Sequence, residues 1–305
     1  MKFVQIYNTD LKVSRIALGC MRLRSLEEKQ VDTLIGTALE QGINFFDHAD
    51  IYGGGKSEEL FAKAMASRPG IRQKVVIQSK CGITGGYYDF SKEHILSSVD
   101  GILKRLNTDY LDVLLLHRPD LLMEPEEVAF AFDTLKAAGK VRYFGVSNQN
   151  PFTMCLLSRH LNQRLVINQV QFGLAHTPML DTAIHANMFG PSGVDRDGGI
   201  LEYCRLHDMT VQAWSPFQYG MFEGNFLESE KYAALNAQLR QIADHKGVSV
   251  NAVAVAWILR HPAHIQAIVG TTNPEHLKEL CRAADTYLSR EEWYMLYKAA
   301  GNKLP

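Results

Sequence analysis

The chain has 305 residues, 46% hydrophobic and 21% charged, with 32 basic against 33 acidic side chains and a formal net charge of −1. This is ordinary globular composition, which excludes a largely disordered chain, and the charge balance excludes a whole-protein field for nucleic acid or anionic lipid. The longest apolar run, residues 252–259, is far too short to span a bilayer.

Ahead of Arg15 the chain reads as a small hairpin or arm. The first β-rich run is RIALG near residue 15, and an amphipathic helix follows over residues 29–41, ending at Gly42, a residue suited to a left-handed C-cap. INFFD near 43 is the second run. A helix starts after Ser57, with Glu58 and Glu59 in its first turn, where the helix dipole favours acidic side chains. KVVIQSK near 74 precedes a helix over residues 91–106, and LDVLLLH near 111 precedes one over residues 125–138 that ends at Gly139. VRYFGV near 141 and LVINQV near 165 come next, then a helix over residues 201–207 and TVQAWS near 210. Helices over residues 235–246 and 251–260 lead to IQAIVG near 265, and a last helix covers residues 274–281.

Most of these eight runs are continuous rather than alternating, which marks strands buried on both faces in a parallel sheet under helical cover. Alternation of strand and helix implies right-handed βαβ units. Eight such units close into a (β/α)8 TIM barrel, here one domain over residues 1–305, with the N-terminal hairpin plugging the floor. An open doubly wound sheet is the competing architecture. Residues 173–199 and 215–229 are longer than simple connections and fall on the C-terminal face, where long loops usually bind ligands.

The start, MKFVQIYNTD, lacks the apolar core of a secretory signal. The five cysteines (Cys20, Cys81, Cys155, Cys204 and Cys281) are odd in number and form no C-x-x-C pair, which argues against a disulfide framework or structural zinc. A cytoplasmic protein is expected, without membrane or nucleic-acid partners. His261 and His264 are separated by Pro262 and have no evident acidic third ligand, so no metal is expected.

The C-terminal ends of the strands form the active face of a barrel. The second strand ends at Asp47 with Tyr52 in its loop, the third at Lys80 and the fourth at His117, so four polar side chains should converge. Singly, each has a plain structural reading: a turn cap, a packed ring, a solvated tip and a hydrogen-bonder. Together they make coherent chemistry. A phenol is a poor acid at neutral pH, and Lys80, paired with Asp47, is expected to lower the Tyr52 pKa. His117 would donate to the same substrate oxygen or relay a proton. Such a group protonates a carbonyl oxygen as hydride arrives at carbon, and since none of the four is a hydride source, a nicotinamide cofactor is required.

INFFDHADIYGGGKSEELFAKAM, then VVIQSK, LLLHRPD, GVSN, NQV, QAWSPF and VGTTNPEHLKEL, stand in the order of the aldo-keto reductase superfamily, which the chain resembles from about Arg15 to Leu280. DHADIYGG, SKCGI and LLHRPDLLM resemble a bacterial oxidoreductase subgroup. The resemblance implies reduction of aldehydes or ketones to alcohols, with Asp47, Tyr52, Lys80 and His117 as the catalytic tetrad. It also implies that Ser147, Asn148 and Gln169 hold the nicotinamide carboxamide and that Trp214 stacks on the ring. Ser215, Pro216 and Phe217 would run along the pyrophosphate. Gly270, Thr271 and Thr272 would meet the adenosine phosphate before the final helix, near His276, with Glu279 at the adenine. Trp214 as a core residue, and Ser147 with Asn148 as helix caps, are the alternatives.

Many family members carry lysine and arginine at the positions of Gly270 and His276, gripping the 2′-phosphate of NADPH, and Leu280 replaces a usual asparagine. NADPH is expected, with NADH the alternative. The triple glycine Gly53 to Gly55 lacks dinucleotide-fingerprint spacing and instead lets the Tyr52 loop bend tightly. Met21, Phe90, Phe172, Phe189 and Phe222 are candidate lining residues of a pocket for a small carbonyl substrate, with plain packing as the alternative for each. The second functional reading is an NAD(P)-sensing regulatory or partner subunit with little turnover.

Overall fold

The computed structural model describes residues 1–227 and 229–305. An antiparallel hairpin, β1 (Phe3–Gln5) and β2 (Lys12–Ser14), opens the chain. Strand and helix then alternate: β3 (Ile16–Gly19), α1 (Glu28–Glu40), β4 (Phe45–Asp47), α2 (Lys56–Ala66), β5 (Val76–Cys81), α3 (Lys92–Leu106), β6 (Leu111–Leu116), α4 (Pro125–Ala137), β7 (Val141–Ser147), α5 (Pro151–His160) and β8 (Leu165–Gln171). Next come α6 (Pro178–Ile184), α7 (Ile200–Leu206), β9 (Thr210–Trp214) and a short hairpin of β10 (Gln218–Tyr219) and β11 (Gly224–Asn225). The remaining elements are α8 (Ala233–Lys246), α9 (Val250–Leu259), β12 (Gln266–Val269), α10 (Pro274–Cys281) and α11 (Arg290–Ala299).

Strands β3 to β9 and β12 form a closed barrel of parallel neighbours. Because β12 pairs with both β3 and β9, the sheet has no open edge and the doubly wound alternative falls. The continuous apolar runs follow from two concentric cores. On β6, Leu114 and Leu116 face the helices while Val113 and Leu115 face inward. Ile6, Leu11 and Val13 of the first hairpin join that inner cluster with Ala17, Phe45 and Ile268, so the hairpin plugs the barrel floor as expected.

Three features lie outside the sequence expectation: α6 and the β10–β11 hairpin inside the two long mouth segments, and α11 beyond the last barrel unit. α11 begins with a capping box between Ser289 and Glu292. It is anchored by Trp293 stacked on Trp257 at 4.8 Å, each indole N–H donating to the other residue's carbonyl at 3.0 Å.

The turn that carries Tyr52 depends on glycine. Gly53, Gly54 and Gly55 all have positive φ, of 64°, 63° and 92°, and L-residues pay about 1–2 kcal/mol there. A Cβ on Gly55 would also strike the Arg105 side chain, which pairs with the buried Glu58. Gly55→Ala is therefore expected to destabilise the fold by about 2 kcal/mol or more, read as a lowered urea midpoint. An unchanged midpoint would show that the turn relaxes freely.

Candidate active site

The end of β4 and the turn after it stay tied to β5: the His48 and Asp50 amides donate to the carbonyls of Gln78 and Lys80 at 2.8 and 3.0 Å. This ladder sets Asp47 and Tyr52 beside Lys80. The Lys80 ammonium is fully buried and donates to Asp47 Oδ1 and Oδ2 (2.8 and 2.9 Å), to the His48 carbonyl (2.8 Å) and to Tyr52 Oη (3.2 Å). Burial works to discharge this lysine, but Asp47 and Tyr52 outweigh it and its pKa is raised, so the group stays an ammonium. His117 meets Tyr52 edge-on, ring centroids 6.1 Å apart. Burial, reinforced by Lys80 and Arg118, pushes its pKa well below 6.5, so the ring is neutral at physiological pH and can donate from one nitrogen.

Lys80 pulls the Tyr52 pKa down as expected, but the net shift is upward. Burial raises it above 10.0, and the nearby ammonium only partly offsets that, with Asp47 adding to the rise. The phenol is thus held protonated, which is the form a proton donor requires.

Asp47 is gripped from below by a feature that the sequence reading missed. Its Oδ1 also accepts from Gln78 Nε2 at 2.6 Å and Gln169 Nε2 at 3.0 Å. Both amides donate their second hydrogen to Gln212 Oε1 at 2.9 Å. Gln212 donates to Gln266 Oε1 at 2.8 Å, and Gln266 to the Ser14 carbonyl at 2.7 Å. A carboxylate can only accept, so this buried chain fixes the amide orientation of all four glutamines. Both Gln169 hydrogens are committed, leaving its carbonyl oxygen as the free end. The available signal was a glutamine in each of four barrel strands: Gln78, Gln169, Gln212 and Gln266.

Above this floor lies a cavity of about 830 Å³. Its walls include Asp47, Tyr52, His117, Ser147, Asn148, Gln169, Trp214, Ser215, Pro216, Phe217, Gly270, Thr271, Thr272 and His276. Glu279 is exposed on α10 and stands outside this wall. Asn150 caps α5 by accepting from the Thr153 amide, so Ser147 and Asn148 are not needed as caps. Ser147 donates to the main-chain carbonyl of Gln169 (2.8 Å), Asn148 donates to Ser147 Oγ (2.8 Å), and Trp214 Nε1 donates to Asn148 Oδ1 (3.1 Å). Trp214 is a half-exposed wall, stacked at 5.9 Å on Phe222, whereas Trp257 is the tryptophan of the core. Asn148 and Ser215 both sit at positive φ, 57° and 48°, strain of the kind that persists at functional sites.

Of the candidate pocket residues, Met21 and Phe222 line the cavity. The other three do not. Phe90 is buried beside Gly82, Phe172 is buried against Trp257 at 5.4 Å, and Phe189 projects into solvent from its loop. Ile51, Ile83, Tyr88, Arg118 and Met221 are among its further lining residues.

The sequence model of the Aldo/keto reductase family matches residues 15–300. The chain belongs to this family. An uncharacterized oxidoreductase, YcsN of Bacillus subtilis (strain 168), is 36% identical, the match covering 95% of each chain. A 6-dehydroglucose reductase of Agrobacterium fabrum is also 36% identical, over 96% of each. The crystal structure of the thermostable aldo-keto reductase Tm1743 in complex with the inhibitor epalrestat superposes with a TM-score of 0.79 at 27% identity, covering 98% of this chain and all of that one. The aldo/keto reductase barrel is thus an oxidoreductase fold here, in a family that generally uses NAD(P)H on small carbonyl compounds. Among the described residues no helix is long and apolar enough to cross a membrane.

Proposed function

We propose that the protein reduces an aldehyde or ketone to the alcohol with NADPH, Tyr52 giving the proton to the substrate oxygen. The observation that carries this reading is the Tyr52 hydroxyl, 3.2 Å from a buried Lys80 amine that is itself paired with Asp47, at the floor of the large cavity.

The residues present fit a nicotinamide cofactor. Gln169 turns a free amide carbonyl toward the cavity, an acceptor suited to a carboxamide NH2. Trp214 offers a flat aromatic face, and Gly270 has open space where a Cβ would stand. Among the described wall residues Asp47 is the only carboxylate, and Lys80 neutralises it, while Arg22 and Arg24 add positive charge. A wall without a free acid leaves no like charge to repel a 2′-phosphate, which favours NADPH. When bound, the cofactor supplies the hydride. His117, held neutral, donates a hydrogen bond to the carbonyl oxygen and orients it toward Tyr52. As Tyr52 gives up its proton, Lys80 stabilises the phenolate left behind. Asp47 keeps Lys80 charged, and the glutamine chain holds Asp47 in place.

Titration with NADPH and with NADH, followed by quenching of tryptophan fluorescence, is expected to show tighter NADPH binding. A Trp214→Ala variant should lose most of the quench, and a panel of aldehydes should be turned over by the complex. Preference for NADH would overturn the cofactor assignment. Binding of neither would remove the basis for the reductase.

A further inference from the structure

Arg118 follows His117 directly and lines the same cavity. Seven arginines are part-buried: Arg15, Arg68, Arg72, Arg105, Arg118, Arg142 and Arg260. Six of them place N–H groups on oxygen. Arg68 meets Asp32, Arg72 meets Asp112, Arg105 meets Glu58 and Arg142 meets Asp10 and Asp112, while Arg15 and Arg260 reach the carbonyls of Leu259 and Leu288. Among the described residues Arg118 alone of the seven finds no oxygen. Its guanidinium lies 5.4 Å from the Trp214 ring centre, and its one polar contact is the Met221 thioether at 3.8 Å. Burial lowers its pKa, with only Tyr88 and Tyr52 pulling back.

A half-desolvated guanidinium with a vacant planar fork is costly unless something supplies oxygens. A neutral hydroxyl would fill one N–H but leave the charge uncompensated, whereas a carboxylate or phosphate answers both. The cavity also has room for such a group beside a carbonyl-bearing body. We propose that Arg118 recognises an anionic group of the substrate, a carboxylate or a phosphate, so that the protein selects carbonyl compounds carrying one. The proposal rests on the reductase reading for the carbonyl but not for the anion.

The test compares 4-carboxybenzaldehyde and 4-formylphenyl phosphate with the neutral methyl 4-formylbenzoate, at saturating cofactor. Wild type is expected to favour at least one anionic aldehyde tenfold or more in kcat/KM, mainly through KM, and the better of the two identifies the group. Arg118→Met should bring that ratio near one. Arg118→Lys should restore part of it, because lysine keeps the charge without the fork. No preference in wild type, or an unchanged ratio in Arg118→Met, would overturn the proposal. A binding arm needs no turnover: terephthalate should quench tryptophan fluorescence of the oxidised-cofactor complex, with at least tenfold weaker affinity in Arg118→Met. If no aldehyde is reduced yet terephthalate binds in this Arg118-dependent way, the reductase reading fails and the anion site stands. Equal affinity in the two proteins, or no binding to either, counts against the site.

Discussion

Replacing Tyr52 with Phe is expected to lower turnover about a thousandfold while leaving cofactor affinity within about twofold. The substitution keeps the ring that meets His117 and removes a single oxygen. Lys80 retains both Asp47 oxygens and the His48 carbonyl, so its charge and position survive. Little stability should be lost, because the phenol hydroxyl is one of four oxygens around the ammonium and faces the cavity. The wild-type pH profile carries the matching signature. Burial raises the Tyr52 pKa, so the proton-donating form persists through neutral pH and is lost only above the ordinary phenol value of 10.0. Reduction should therefore hold across neutral pH and fall only in strong alkali. Steady-state rates of Tyr52→Phe beside wild type decide the matter, and undiminished turnover would remove Tyr52 as the donor.

The barrel was legible because its cause is local. Residues such as 113–116 and 165–167 are apolar on consecutive positions, and only a strand between an inner and an outer core needs that. That Tyr52, Lys80, Asp47 and His117 meet was legible because strand ends of one barrel face the same way. What escaped reading depends on the path of chain outside the barrel or on depth within it. Phe189 was a candidate for the pocket but stands in solvent, since α6 and the turn after it carry that loop away. Phe90 and Phe172 face packing instead of the opening. The direction of the Tyr52 shift depends on how far burial outweighs one nearby charge, which spacing along a chain does not encode. The glutamine chain is intermediate. Gln78, Gln212 and Gln266 are visible as polar interruptions, but their joining into one network requires the register of β5, β8, β9 and β12.

Lys80→Met should cost both activity and stability, and the two losses can be separated. In the wild type the ammonium is the cation that neutralises Asp47 deep in the barrel, with neither side chain more than a few per cent exposed. Removing one partner of a buried pair leaves the other uncompensated, at about 3–5 kcal/mol. The Lys80 pKa is raised in the fold, so its contribution to stability is fully present below the ordinary lysine value and is lost as pH rises through the folded value. The wild-type advantage over Lys80→Met should therefore hold from neutral into mildly alkaline solution. Turnover should fall by about two to four orders of magnitude. Residual activity should extend to higher pH, because the phenol loses the charge that pulled its pKa down. The double variant Asp47→Asn with Lys80→Met removes the stranded carboxylate and lets an amide meet Gln78 and Gln169. It should recover much of the lost stability in a urea melt, since a neutral buried pair avoids the desolvation cost, yet remain as inactive as the single variant. Recovery of turnover along with stability would mean that Lys80 serves only to hold the fold. Stability without turnover assigns it to the chemistry at Tyr52.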